Sequence, residues 1–118
     1  GIKAIAKVRA KEPALRYGRQ YFREISRDGK NFYFPQDGNS FLAYSRILDT
    51  DEILITLNIS LRPQTFFVTV DKNLSPPEKN LKNLLHPEKS FKISEVNKRA
   101  ASKITLSPLE MAIFKAEG

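Results

Sequence analysis

The sequence predicts an all-β fold: an antiparallel β-sandwich, Greek-key-like, of about seven to eight short strands preceded by a short N-terminal helix. Three observations carry this. Ile53, Ile55, Leu57 and Ile59 alternate with Leu54, Thr56, Asn58 and Ser60, the period of a half-buried strand. Short apolar runs recur along the chain, separated by Pro, Gly and Asx turns. The clearest helical period, free of Gly and Pro, is confined to Ile2 to Lys11.

In that helix Ile2, Ile5, Ala6 and Val8 fall broadly on one side, and Lys3, Lys7 and Lys11 on the other. It is shorter than the roughly 12 to 15 residues that an isolated helix needs in water, so its apolar side must lie against something. Pro13 ends it, and Pro13 to Gly18 follow as an extended link with a glycine where the chain can turn. Arg19 to Ser26 is a strand, closed by a turn at Asp28-Gly29. Asn31 to Ser40 is a loop holding the aromatic triplet Phe32-Tyr33-Phe34, then Pro35 and an Asp37-Gly38-Asn39 turn.

Phe41 to Leu48 is apolar on both faces, which suits an interior strand. Asp49, Thr50 and Asp51 turn it into the alternating strand, and the resulting hairpin is the expected centre of the sheet, with Leu57 on its buried face. Arg62-Pro63 breaks the chain, and Thr65 to Asp71 alternates Phe66, Val68 and Val70 against Phe67 and Thr69. Asn73 to Pro87 is irregular. Within it Ser75-Pro76-Pro77-Glu78 resembles a capping box ahead of one short helix burying Leu81, Leu84 and Leu85. Phe91 to Val96, Lys103 to Leu106 and Glu110 to Lys115 are the closing strands, separated by Asn97 to Ser102 and by Ser107-Pro108.

The 118 residues fit one domain, large enough to bury a core without metals or disulfides. With no cysteine, disulfides, thiol catalysis and Cys-based zinc sites are excluded. No apolar run approaches the roughly 20 residues of a membrane span, so no membrane partner is expected. No signal-peptide pattern is visible, which leaves the compartment open with the cytoplasm slightly favoured. The chain opens without Met, and the expectation is a piece cut from a larger parent.

Lys and Arg number 20 against 13 Asp and Glu, a net charge of +7 that raises nucleic acid or an anionic surface as a partner. Most of the excess lies between Lys3 and Lys30, and a solvated basic surface accounts for it. His86 is the one histidine and has no carboxylate motif beside it. Asp49, Asp51 and Glu52 invite a calcium or general-acid reading, but aspartates at a hairpin tip bond their own turn, and no Gly-containing ligand loop surrounds them. No phosphate-cradling or nucleophile-elbow motif occurs, and no cofactor is expected. Asn58 and Asn73 match the N-glycosylation pattern, Asn58 inside a strand. Phe32, Tyr33 and Phe34 could stack bases or sugars; core packing is the expectation, with at least two of the three rings buried.

The run from Arg9 through Pro13-Ala14-Leu15-Arg16-Tyr17-Gly18 resembles the passage that, in α-amylase family enzymes (glycoside hydrolase family 13), links the last barrel helix to the C-terminal domain. Ile25-Ser26, Leu42-Ala43-Tyr44-Ser45-Arg46 and Ile53 to Asn58 resemble the first strands of that all-β domain, and Ile104 to Phe114, with Pro108 inside it, is similar to its closing strands. Asp71 to Lys103 lies outside the resemblance.

The resemblance implies a non-catalytic C-terminal accessory domain: residues 1–18 the remnant of the last barrel helix and its linker, residues 19–118 the β-sandwich. Its partner would be the catalytic barrel of the same polypeptide, with α-glucan as a second ligand and self-association through the exposed seam. The family's catalytic carboxylates belong to barrel strands, so no catalytic residue is carried over. The barrel interface expected is Ile2, Ile5, Leu15, Arg16, Tyr17, Phe32 and Phe34. Two alternatives stay open: an OB-like barrel binding single-stranded nucleic acid, which is the less favoured partner, and a carbohydrate-binding module stacking sugars on Tyr17 or Tyr33.

Overall fold

A computed structural model describes residues 1–35 and 40–117. The chain forms helices α1 (Ile2–Lys11) and α2 (Pro13–Tyr17), then β1 (Arg19–Phe22), β2 (Ile25–Ser26), β3 (Phe41–Leu48), β4 (Asp51–Asn58), β5 (Gln64–Val70), β6 (Asn80–Asn83), β7 (Phe91–Val96), β8 (Arg99–Leu106) and β9 (Met111–Glu117). All pairings are antiparallel, in the order β1-β3-β4-β9-β6-β7-β8-β5-β2. The fold is all-β with a short N-terminal helix, as expected, and the sheet curls so that its halves face each other.

The curl starts where one expected strand is two. Arg19 to Ser26 splits at Arg23-Glu24: the Arg23 amide bonds the carbonyl of Ala43 on β3, while the carbonyl of Glu24 accepts from Thr69 on β5. β1 and β2 therefore close opposite edges of the ladder although they are neighbours in sequence. Between the halves lies one core of Ile25, Phe41, Leu54, Phe66, Val68, Leu81, Ile93, Ile104, Leu106 and Phe114 with smaller residues. The rings of Phe41 and Phe66 meet across it at 4.7 Å.

The central hairpin forms with Asp49-Thr50 at its tip, and β3 is interior between β1 and β4. Its faces need correcting. The expected outward residues Leu54, Thr56 and Asn58 point into the main core, while Ile53 and Ile55 are buried on the other side, beneath Ala14, Leu15 and Val8 of the helices. Leu57 is half-buried and Ile59 exposed, because the helices cover only one end of that face.

Four further expectations change. Pro13 does not begin an extended link but stands at the first position of α2, where its fixed φ and missing N–H suit a helix start. The helix expected to bury Leu81, Leu84 and Leu85 is strand β6, since Glu78 takes φ +80° and the backbone at Asn80 to Asn83 is claimed by β9 on one side and β7 on the other. β8 begins at Arg99 because Asn97 and Lys98, both at positive φ, form a tight hairpin turn. The triplet rings are not mostly buried: Phe32 is half-buried and Tyr33 and Phe34 are exposed. The Asp37-Gly38-Asn39 turn lies outside the described residues, whereas the Asp28-Gly29 turn forms with Gly29 at φ +77°.

Candidate docking face

The outward side of the first sheet half follows from the strand registers. Phe22, Tyr44, Ile55 and Ile113 stand in one cross-strand row, and Leu42, Leu57 and Met111 in the next. Helices α1 and α2 lie over part of this face, with Ala14 buried among Ile53, Ile55 and Ile113. The rest is open: Phe22 is 64% and Met111 36% exposed. Gly18 lets α2 approach this closely, since a Cβ there would collide with the carbonyl oxygen of Ala14 and lie 3.0 Å from the amide of Ile47.

Helix α1 has no buried residue. Its Val8 side faces Leu84 and Leu85 across an open hollow, and Glu12 at its end accepts a 3.0 Å ion pair from Lys115. Its other apolar edge, Ile5 with Arg9, borders a groove against Leu15, Tyr44, Arg46 and Met111. Ile2 is 87% exposed. A helix of this length draws its stability from burial, and here Ile5 and Val8 are only half-buried while Ile2, Ala4 and Ala6 are exposed.

The residues expected at an interface divide accordingly. Ile5 and Leu15 line the groove, and Ile2, Arg16 and Tyr17 are exposed on the helices. Phe34 lines an open hollow with Gln20, Tyr21, Phe22 and Pro35, next to the exposed Phe22 end of the face. Phe32 has the Arg99 guanidinium 4.5 Å above its ring. The sequence reading did not place Phe22, Leu42, Tyr44, Leu57 and Met111 on this face; for Tyr44 the signal was the double-sided apolar pattern of Phe41 to Leu48, and the others join it through cross-strand register. Of the candidate sugar-stacking rings, Tyr17 is exposed with Arg16 over one face at 5.2 Å, and Tyr33 is partly exposed and bridged to Ile25 through its backbone. Arg27 and Lys103 lie over Phe66 and Phe67, so protein cations occupy those ring faces.

The acidic triplet does not converge. Asp49 and Asp51 are exposed at the hairpin tip, while Glu52 turns inward and accepts from Arg23 at 2.7 Å, from Ser45 at 2.6 Å, from Ser75 at 2.7 Å and from the amide of Asp71 at 3.1 Å. Its oxygens are occupied by these donors, which makes it a structural knot between β4 and the chain after β5. Among the described residues no group of three His, Asp or Glu side chains is placed to hold a metal. His86 is exposed, 3.6 Å from Glu88. Asn58 is buried, its amide nitrogen donating to the carbonyls of Arg62, Leu106 and Ser107 and its oxygen accepting from Ser60, so it is closed to glycosylation in this fold. Among the described residues no helix is long and apolar enough to cross a membrane.

No protein-family profile and no curated protein matches this sequence. Solved structures do match its fold. An α-amylase from Geobacillus thermoleovorans, complexed with acarbose, superposes with a TM-score of 0.74 at 17% identity, over 98% of this chain and 22% of that one. The cyclomaltodextrin glucanotransferase CldA, described as having a three-domain ABC distribution, gives 0.68 at 20% identity over 97% and 21%. A debranching enzyme from Nostoc punctiforme gives 0.62 at 20% identity over 95% and 20%. The chain thus spans about a fifth of the length of α-amylase-family enzymes whose fold it shares in that region.

Proposed function

We propose that this chain is a non-catalytic accessory β-domain of an α-amylase-type carbohydrate-active enzyme. Residues 1–18 would be the end of the last barrel helix and its linker, and residues 19–118 the C-terminal domain. It docks on the (β/α)8 catalytic barrel of the same polypeptide and supports that barrel's folding and access to substrate. One observation carries the reading: an apolar sheet face that α1 and α2 cover at one end only, on a fold that forms about a fifth of larger amylase-type chains. Exposed apolar side chains clustered on one face mark interaction surfaces, and a docked barrel would cover both the sheet face and the open side of α1.

The polypeptide encoded by the complete reading frame provides the test, compared with a version that stops before Arg19. The intact protein should yield soluble glycosidase or transglycosylase, and the shortened one should lose soluble yield and thermal stability. Equal yield, stability and activity from both would remove the accessory role.

A further inference from the structure

We infer that the groove between α1 and the sheet receives a carboxylate: an Asp or Glu side chain flanked by apolar residues on the surface of the catalytic barrel. The inference rests on the accessory-domain reading and adds the chemistry of the contact. The groove, about 240 Å³, is walled by Ile5, Leu15, Tyr44 and Met111 and carries two guanidinium groups, Arg9 from α1 and Arg46 from β3. Among the described residues neither forms an ion pair. Arg46 makes one long bond, 3.3 Å, to the carbonyl of Leu15.

Elsewhere this molecule pairs the cations that it partly buries: Arg23 with Glu52, Lys115 with Glu12 and Arg99 with Glu24. Arg46, half-buried, departs from that pattern, and Arg9, exposed on α1, adds a second positive charge at the groove. A surface that seals the groove strips water from both guanidinium groups, and a covered, uncompensated charge is strongly unfavourable. The occupant must therefore bring negative charge. The planar fork of arginine fits a carboxylate in two-point contact, and the apolar walls call for apolar flanks around it. A lysine-bearing or wholly apolar surface fails on the first requirement, and a fully polar one on the second.

The test is hydrogen exchange of α1 in the complete polypeptide, for the wild type and for Arg9→Glu, Arg46→Glu, Arg46→Met and a Lys30→Glu control. The inference expects α1 protected in the wild type and in Lys30→Glu, with most of that protection lost in the three arginine variants. Protection that survives all three overturns the carboxylate contact while the docking reading stands. An open α1 in the wild-type polypeptide overturns the docking reading and this inference together. Thermal melts of the isolated variants guard against misfolding; should the Arg46 variants melt early, Arg9→Glu, on an exposed helix position, decides the matter. Replacing the matching barrel carboxylate by Arg should restore docking to Arg9→Glu, and failure of every such swap counts against the pairing.

Discussion

The Arg23 guanidinium lies 2.7 Å from Oε2 of Glu52, a pair made between the point where the chain leaves β1 for β2 and the start of β4 in the central hairpin. Glu52 is almost wholly buried, and Ser45, Ser75 and the Asp71 amide fill its remaining acceptor sites. This knot fixes the crossing from one sheet half to the other. Removing one member leaves the opposite charge under cover, so Glu52→Ala should cost about 3 to 5 kcal/mol, read by urea unfolding. A loss of under about 1 kcal/mol would mean that the pair is solvated and the crossing is held by packing alone.

The two faces of β4 should respond differently. Leu54 is 1% exposed within the main core, and Leu54→Ala should cost about 2 to 5 kcal/mol. Leu57, half-buried on the outer face, should lose roughly 1 kcal/mol or less in the isolated chain. Equal losses would show that the outer face is covered in solution.

The sequence made most strands legible, because alternation over β4 and β5 and the double-sided apolar run of β3 agree with the pairing that the fold imposes. What it hid is tertiary. Nothing local says that Arg19 to Ser26 divides between two sheet edges; that follows from Ala43 and Thr69 claiming the backbones of Arg23 and Glu24. Leu81, Leu84 and Leu85 have helical spacing, but β9 and β7 need a strand between them, and pairing overrides propensity. The docking face was half legible: Ile5 and Leu15 are in the groove, whereas Phe22, Leu42 and Met111 join them only through cross-strand register.

The Asp28 turn predicts a dependence on pH. Amide donors from Asn31 and then Lys30, with the Ser26 hydroxyl, hold the Asp28 carboxyl well below its ordinary value of 3.8. A folded-state pKa below the unfolded one contributes stability that is present above the unfolded pKa and lost as pH falls through the acid range. Asp28→Asn should therefore melt earlier than the wild type at neutral pH, and the gap should narrow below about pH 4. A gap independent of pH would assign the effect to geometry rather than charge.

Gly18→Ala tests the fit of α2 on the sheet. Gly18 has φ −69°, so alanine is strained by space and not by backbone angle: its Cβ meets the Ala14 carbonyl and the Ile47 backbone. The expected cost is about 1 to 3 kcal/mol, with faster exchange at Ala14 and Leu15. An unchanged melting temperature would show that α2 can lift without consequence.

The docking face is tested most directly by hydrogen exchange of α1, measured in the isolated chain and in the complete polypeptide. In isolation the amides of α1 should exchange far faster than those of β4 and β9, because the helix buries no residue. In the complete polypeptide they should become protected. If α1 is instead as protected as β4 in the isolated, monomeric chain, or gains nothing in the complete one, the open face is not a seam and the accessory-domain account is contradicted.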